Sequence, residues 1–506
     1  MLEIFFKKLK REFFEKKLIF RYNVFMKQIT TNSLLWYIGL PLAVLILIFF
    51  IVWQGVNSLV LFLLFILLWG LSYRLDIGLY ILVFLAPMMH WVIYLENYNF
   101  IRNNFSYLTG VYAPAVDFWA LFLGLAFVWW YIREFFRGET FKIYLPGVGF
   151  FILFLISALA SLSNLSIFEI SSGLKYIVRF LIFIYLVYLA LGINIIRHDK
   201  KKFLIALKVY ASVGFLGALM GFTSFFLGEW TFYALGRAVP FPIFGWAPFG
   251  DQHIFLAEIM VVTLPVYFYL WYIEVNNKKK KLLASLGIFV GIISLLTLSR
   301  AAWLTILLEI IIFYLFTRSF ISWKEILKKI KWLMVVVVLL AGYFGIFMTT
   351  LYVERSTEAR WALTDISLHL FYEHPILGQG VGSFIDRLSE VKYFMWEFGD
   401  PIDAHSIISK LLAEQGLLGL LTFGLFIAWV INNILERYHD KKYTPEAQLA
   451  ALLGLFLVVS PLIFQMFNTQ YYSAKMWVPI MLGMAQLIVY FEGKRFPYDF
   501  NFIERK

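Results

Sequence analysis

The chain has 506 residues, of which 61% are hydrophobic and only 15% are charged, and its formal net charge is +12. Soluble domains are about half apolar, so this composition excludes a soluble globular protein and indicates an integral membrane protein. The absence of cysteine excludes disulfide bonds and thiolate chemistry.

Apolar residues form blocks of about 17–25 residues, which are long enough to cross the hydrocarbon core of a bilayer as helices. Open strands would leave backbone groups unpaired in lipid. We therefore predict an all-α integral membrane protein with about fourteen transmembrane helices. The predicted spans cover residues 34–53, 56–73, 77–95, 114–133, 146–163, 174–195, 203–227, 253–274, 282–299, 301–318, 332–351, 405–433, 447–467 and 476–492.

Lysine and arginine are concentrated in alternate loops between these spans, which is the pattern of cytoplasmic segments. Both termini are therefore predicted to be cytoplasmic. The same distribution argues against nucleic acid as a partner, because the basic residues are spread over short loops and do not form one folded surface. The basic clusters are KKLKR (7–11), RHDKKK (197–202), KKKK (278–281), KEILKKIK (324–331) and RYHDKK (437–442).

This topology divides the chain into five segments. Residues 1–33 form a basic, Phe-rich segment, predicted as an amphipathic helix on the inner leaflet or else as an unstructured basic tail. Residues 34–351 contain the first eleven predicted spans, and residues 352–404 form a large external loop. Residues 405–492 contain the last three spans, and residues 493–506 form a cytoplasmic tail.

Three external segments are long enough to hold a functional site: residues 96–113, 228–252 and 352–404. In the last of these, apolar residues recur close to the helical period over 354–374, which predicts an amphipathic helix on the membrane surface. The glycines of GQGVG (378–382) follow as a turn, and they do not form a dinucleotide-binding motif.

Four arginines lie in these external segments or at their edges: Arg237, Arg300, Arg355 and Arg360. Guanidinium groups bind phosphate in a bidentate manner and stay charged at physiological pH. Converging on one cavity, these side chains would form a diphosphate-binding site. The alternative is that each reaches water or pairs with a nearby acid such as Glu354 or Glu358.

A lone histidine, His405, lies where the last external loop enters an apolar segment, and its ordinary pKa near 6.5 suits a general base. The alternative is an interfacial histidine that anchors the following helix. Asp403 would orient the ring or favour the positive helix N-terminus. Glu414 is predicted to be a supporting residue, either structural or paired with Lys410 four residues earlier.

Metal chemistry is not predicted, and neither is a cofactor. There is no HExxH motif, and the only close acidic pair near the histidine is Asp400 with Asp403.

Three of the stretches discussed above, with a fourth that matches more loosely, resemble motifs of the O-antigen ligase and polymerase family. LTLSRAAWL (296–304) is similar to the SRG-type turn of the family. RWALTDISLHLFYEHPILGQGVGSF (360–384) resembles its arginine–tryptophan element and the glycine-rich segment that follows HP. DAHSIISKLLAEQGLLGLL (403–421) resembles its His-Asn element, which runs into E-x-G. The fourth, looser match is the loop around Arg237 with the following span.

The sequence departs from these motifs in three places. Ser406 follows the histidine where asparagine is usual, and SRA replaces SRG. Arg360 directly precedes Trp361, so both Arg355 and Arg360 are candidates for the loop arginine of the family.

The resemblance implies transfer of a glycan from undecaprenyl-diphosphate to an acceptor hydroxyl at the periplasmic face of the bacterial inner membrane. His405 would accept the proton while the arginines hold the diphosphate, and the reaction would be metal-independent and inverting. The acceptor is a second lipid-linked glycan in a polymerase, which we favour, or lipid A–core in a ligase. A protein acceptor is a third option, and a chain-length regulator is a candidate partner.

A lipid-linked oligosaccharide flippase or another transporter is the alternative from a different class. Transporters tend to show repeated halves and charges near the middle of the membrane. The sequence has no evident internal repeat, and its charges within spans are few. A purely structural scaffold would leave the external arginines without a role.

Overall fold

The computed structural model describes residues 66–94, 112–138, 143–197, 199–227, 236–241, 247–318, 335, 338–343, 345, 351–440 and 442–491. The chain forms two compact units, Met1–Gly70 and Leu71–Lys506. In the first unit only residues 66–70 are described, and they are helical. The predicted segments 1–33 and 493–506 lie outside the described residues, as do the span 34–53 and most of the spans 56–73 and 332–351.

The second unit is mostly helical, with one short antiparallel pair of strands in which Val92 faces Pro114. Residues 167–196 form one continuous helix, labelled α4. The elements are α1 (Leu75–Leu85), β1 (Val92–Tyr94), β2 (Tyr112–Pro114), α2 (Ala115–Phe136), α3 (Val148–Ser161), α4 (Ile167–Ile196), α5 (Lys200–Leu227), α6 (His253–Ile273), α7 (Asn277–Leu296), α8 (Arg300–Thr317), α9 (Leu351–Glu373), α10 (Phe384–Ser389), α11 (Lys392–Phe398), α12 (Ile407–His439), α13 (Pro445–Gln465) and α14 (Ala474–Tyr490).

Seven helices of the described residues are long and apolar enough to cross a membrane: α2, α4, α5, α6, α8, α12 and α13. The number rises to eight if one bent helix pair is counted as a single span. α3 and α14 are apolar but shorter, and α1 ends at Leu85, before the predicted end of its span at residue 95. α7 is not among the seven, and four lysines follow its first residue, Asn277. The chain is thus a multi-pass membrane protein, but the prediction of about fourteen spans is not confirmed.

The centre of this unit is formed by α6, α13 and α14, which are buried along most of their length. α13 and α14 approach closely at Gly454 and Gly483, where an added Cβ on either glycine would lie within 3 Å of the other's carbonyl oxygen. Small residues allow helix backbones to pack at this distance in membranes. α8 instead exposes Leu307, Ile310 and other apolar side chains, as expected for a face in contact with lipid.

Several charged residues inside the spans are paired across helices. Arg179 of α4 lies 2.7 Å from Asp117 of α2, and Lys475 of α14 lies 2.7 Å from Glu258 of α6. Glu309 of α8 accepts a hydrogen bond from Ser460. A buried charge in a membrane is costly without such partners, so these pairs fix the helix arrangement.

The segment between α8 and α12 contains a small hydrophobic core of its own. Leu363 and Leu370 of α9 pack with Phe384 of α10 and Phe394 of α11, and Ala413 of α12 completes the cluster. The helix predicted over 354–374 is present as α9, but Trp361 is not on its buried face, because 71% of its surface is exposed. The packing onto Ala413 fixes this segment relative to the start of α12.

Candidate active site

A cavity of about 300 Å³ lies where three helices begin, and four of the predicted site residues line it. Arg237, Arg300, Arg360 and His405 come from four different parts of the chain, and the structure brings them together here. Asp251 is the one carboxylate among the lining residues. Three arginines and one residue with a carboxylate therefore line the same cavity. The other lining residues are Gln252, His253, Ile254, Leu298, Ser299, Ala301, Ser356, Ala359 and Ile402.

Arg300 is the first residue of α8, after the tight turn that follows α7. The Ser299 hydroxyl caps this helix by accepting a hydrogen bond from the Ala302 amide. The Arg300 side chain crosses to α9, where Nη1 donates to the Thr357 hydroxyl at 2.8 Å. This bond holds the guanidinium at the cavity wall and links α8 to α9.

Arg237 lies in an irregular stretch that three hydrogen bonds hold in place. The Gly236 carbonyl accepts from the Tyr343 hydroxyl at 2.6 Å, and the Ala238 amide donates to the Leu296 carbonyl at 2.9 Å. The Val239 amide donates to the Ser224 hydroxyl. A loop fixed on both sides of Arg237 can hold that side chain at the cavity without a regular element.

The two remaining arginines belong to α9, and only one of them lines the cavity in the described residues. Arg360 is a lining residue, together with Ser356 and Ala359 from the same helix. The backbone of Arg355 is helical, but its side chain lies outside what the structure describes. The structure thus places Arg360 at the cavity, while the prediction for Arg355 is not tested.

His405 lies just before α12 and adopts a left-handed backbone conformation, with φ of 51°. Leu298, in the turn before Arg300, has φ of 54°, and no other non-glycine residue in the described ranges has positive φ. Both line the cavity. Such conformations are unfavourable for residues with a Cβ and tend to be kept at functional sites, where the surrounding structure enforces them.

The environment of His405 favours a neutral imidazole. Burial lowers the pKa of His405 below its ordinary value, the Arg360 guanidinium lowers it further, and Asp403 acts in the opposite direction. The ring atom Nδ1 is buried and has no hydrogen-bond partner within the described residues. A neutral imidazole with an unused nitrogen beside a cavity can accept a proton.

Asp403 does not orient the His405 ring by a hydrogen bond, contrary to one of the two predicted roles. Both carboxylate oxygens accept hydrogen bonds from the Lys410 ammonium at 2.8 Å, and Oδ1 also accepts from the Ala404 amide. The reason is geometric: residue 410 is one turn inside α12, so its long side chain reaches back to the residues before the helix. The predicted partner of the ring is instead part of an ion pair.

Glu414 lies close to Lys410, as one of its predicted roles described, and it also contacts the backbone at the start of α10. It is almost fully buried, lies 3.7 Å from the Lys410 ammonium, and accepts a hydrogen bond from the Phe384 amide. The following break in α12 is at Gly416, whose φ of 62° and ψ of −160° are open to glycine alone. Glu414 thus joins α12 to the glycine-rich segment before α10.

That glycine-rich segment is not a free turn, because it docks on the break in α12. The Gln379 and Gly380 amides donate to the carbonyls of Ala413 and Glu414 at 2.8 and 2.9 Å. In the other direction, the Leu417 amide donates to the Pro375 carbonyl at 2.9 Å. The two glycine-containing motifs singled out in the sequence therefore satisfy each other's backbone groups.

Helix N-termini add to the positive potential of the cavity. α6 and α8 begin at His253 and Arg300, which line it, and α12 begins two residues after His405. The N-terminus of α6 lacks a side-chain cap, since Gln252 makes no capping hydrogen bond. Free amides at a helix N-terminus bind anions. The arrangement suits a ligand with several negative charges.

His253 is a lining residue that the sequence analysis did not select. It occupies the first position of α6, directly after the external segment 228–252. The signal was the same as for His405, a lone histidine at the start of a long apolar segment. The motif resemblance is loose in this region, and so the histidine was not distinguished from the rest of the span.

No group of three or more side chains able to hold a metal ion occurs in the described ranges. At the cavity itself, Asp251 and the two histidines are the only lining residues of metal-ligating type.

These features describe a multi-pass membrane protein with a cationic, histidine-containing cavity at the ends of its helices. Residues 282–424 match the family model Wzy_C, described as O-antigen ligase, and this stretch contains Arg300, Arg360 and His405. This match supports the resemblance to the O-antigen ligase and polymerase family that the motifs predicted. Arg237 lies outside the matched residues. No curated protein matches the chain.

The matched domain supports an O-antigen ligase- or polymerase-like function, which is a glycosyltransferase-like activity. It also implies a lipid-linked glycan and an acceptor as substrates.

Proposed function

We propose that the protein transfers a glycan from undecaprenyl-diphosphate to an acceptor hydroxyl and acts as a polysaccharide polymerase. The observation that carries this proposal is the convergence of Arg237, Arg300 and Arg360 on the cavity that contains His405. These groups match the two needs of the reaction, which are to hold a diphosphate and to remove a proton. The cavity would lie on the periplasmic side of the bacterial inner membrane, with both termini in the cytoplasm.

The arginines would bind the diphosphate of the donor and stabilise the charge that it gains as it leaves. Guanidinium groups pair with phosphate oxygens in a bidentate manner, and in a partly dehydrated site this stabilisation is much stronger than in water. The volume of about 300 Å³ is at the lower end of small-molecule sites and suits a diphosphate with its first sugar. The uncapped N-terminus of α6 would contribute backbone amides.

His405 would act as the general base. The acceptor hydroxyl attacks the anomeric carbon, its proton moves to the imidazole, and the bond from that carbon to the phosphate oxygen breaks. Undecaprenyl-diphosphate departs with the electron pair of this bond. Attack from the side opposite the leaving group inverts the anomeric centre, and no step requires a metal ion.

A ligase is the second candidate, and the description of the matched family favours it. Polymerase and ligase share this chemistry and differ in the acceptor, which is a second lipid-linked glycan or lipid A–core. The long segment between α8 and α12, which could accommodate a bulky glycan acceptor, leads us to place the polymerase first. A chain-length regulator would be a partner of the polymerase alone.

The test is transfer by purified protein in lipid nanodiscs, with an undecaprenyl-diphosphate oligosaccharide as donor and a metal chelator present. A ladder of longer lipid-linked glycans would support the polymerase, and a single shift of added lipid A–core would support the ligase. For His405→Ala we expect a loss of about 10²–10⁴-fold in rate, the usual contribution of a general base.

The matched control is His369→Ala. This histidine lies on α9 with 77% of its side chain exposed, and it does not line the cavity. Equal rates for His405→Ala and wild type would refute the general base. Failure of the wild type to release the diphosphate carrier with any acceptor would refute the transferase and make lipid-linked oligosaccharide transport the leading hypothesis.

A further inference from the structure

Lys410 is a buried ammonium group near the start of α12, five residues after the histidine of the cavity. Only 1% of its surface is exposed, and it does not line the cavity. Its Nζ lies 2.8 Å from both carboxylate oxygens of Asp403 and 3.7 Å from Glu414. Such a group is expensive to bury unless its partners are fixed. Its position therefore calls for a reason beyond solubility or topology.

Two aromatic rings lie close to this ammonium, and one of them connects it to a second ion pair. Nζ lies 5.7 Å from the ring centre of Tyr176 and 5.2 Å from that of Tyr472, within the range of cation–π contact. The Tyr472 hydroxyl donates to Asp403, and the Tyr472 carbonyl accepts from Arg179 Nε at 2.9 Å. Because Arg179 pairs with Asp117, the network reaches from α12 through α4 to α2.

The network ends two residues before His405. Asp403 accepts a hydrogen bond from the Ala404 amide, so the carboxylate held by Lys410 also fixes the backbone that leads into the left-handed turn at His405. A left-handed residue with a Cβ persists only where its surroundings enforce it. Without the ion pair, this turn would lose its nearest constraint.

We propose that Lys410 is a positioning residue for His405: it clamps Asp403, and so the turn that aims the imidazole at the cavity, and it neutralises the Asp403 charge beside the imidazole. The proposal rests on the proposed function, in which His405 is the general base. It assigns Lys410 a role in catalysis without contact with substrate.

Neutralisation matters because Asp403 raises the pKa of His405, against the lowering by burial and by Arg360. Removing the ammonium would strengthen the influence of the carboxylate on the ring, and removing the carboxylate would end that influence. The two substitutions should therefore move the titration of His405 in opposite directions. A role in packing alone predicts no such opposition. The other charged or titratable groups that line the cavity with the ring are Arg237, Asp251, His253, Arg300 and Arg360.

The titration can be measured without any substrate. Diethyl pyrocarbonate acylates neutral imidazole, so its rate of reaction with His405 follows the deprotonated fraction and can be read by peptide mass spectrometry over a pH series. In nanodiscs we expect Lys410→Met to move the midpoint to higher pH and Asp403→Asn to move it to lower pH. The double variant has no charge at either position, so its midpoint should return towards that of the wild type.

The control variant is Lys200→Met, which removes an ammonium from a more exposed ion pair, 2.7 Å from Glu446. It should leave the midpoint unchanged. Thermal unfolding of each variant shows whether it is folded. If one single variant is not folded, the other still tests the proposal, because its midpoint must move in the predicted direction. Midpoints that move in the same direction for Lys410→Met and Asp403→Asn, or that stay in place, overturn the proposal.

Glycan transfer provides the second measurement. Lys410→Met should lower kcat about 10-fold or more, because small misplacement of a catalytic group is costly, while KM for the donor stays near its wild-type value. A rise in KM with kcat unchanged would contradict a positioning role. If the wild type transfers no glycan, the proposed function fails, whereas the titration still decides whether Lys410 controls His405.

Discussion

Two neighbouring groups of charged residues are arranged in opposite ways. At the cavity, three guanidiniums line the wall with one carboxylate, and the space between them is open. Around Lys410, two carboxylates surround one fully buried ammonium, and each group has a partner within the protein. The first arrangement leaves an excess of positive charge for a ligand. In the second, the charged groups are close to one another inside the protein, and they hold structure.

A charged group that is buried with its partners therefore holds structure, whereas charged groups that line an open cavity can bind a ligand. The buried pair of Glu258 and Lys475 is of the second kind, since Gln465 also donates to Glu258 at 2.7 Å. Charges that are paired in this way give little support to a transport pathway, in which they would face the substrate. The cavity arginines instead line an open space together with one carboxylate.

The largest effect should come from the cavity. We expect Arg300→Ala to reduce kcat/KM for the donor by about 10²–10³-fold, the range found when a group that stabilises a developing negative charge is removed. The measurement is glycan transfer at low donor concentration. Arg318→Ala is the matched control, because Arg318 is exposed at the other end of the same helix. Similar losses for both variants would mean that the loss does not come from removing a cavity arginine.

An intermediate effect, on stability, should come from the break in α12 at Gly416, where the glycine-rich segment docks. In Gly416→Ala the new Cβ would lie 2.5 Å from the Ile376 carbonyl group, and the backbone strain alone costs about 1–3 kcal/mol. Thermal unfolding in nanodiscs should show the loss. Gly424→Ala, a position with nothing within 4 Å, should be neutral or slightly stabilising. An unchanged Gly416→Ala protein would show that the docked glycine segment is dispensable.

The smallest effect should come from the bond between α8 and α9. Thr357→Val removes the hydroxyl that accepts from Arg300, and we expect kcat/KM for the donor to fall about 10-fold or less, since one such hydrogen bond contributes about 1 kcal/mol. Thr364→Val is the control, because that hydroxyl bonds only to the Arg360 carbonyl of its own helix. A loss as large as that for Arg300→Ala would make Thr357 a substrate contact.

Much of the candidate site could be predicted from the sequence, because each residue has a local signal. Arg300 lies in a tight turn between apolar segments, and His405 lies where a polar segment meets an apolar one. The similarity to the family was also predictable, since its motifs are short and contiguous. His253 had the same local signal as His405, but no close motif accompanied it.

The sequence by itself determined that the chain is helical and inserted in a membrane, because hydrophobicity and its spacing are properties of local composition. Only the tertiary structure decided which residues meet. The distance from Arg237 to His405 along the chain carries no information about their separation in space, which depends on helix packing. The partner of Asp403 was decided in the same way, because Lys410 reaches it only through the geometry of the first turn of α12.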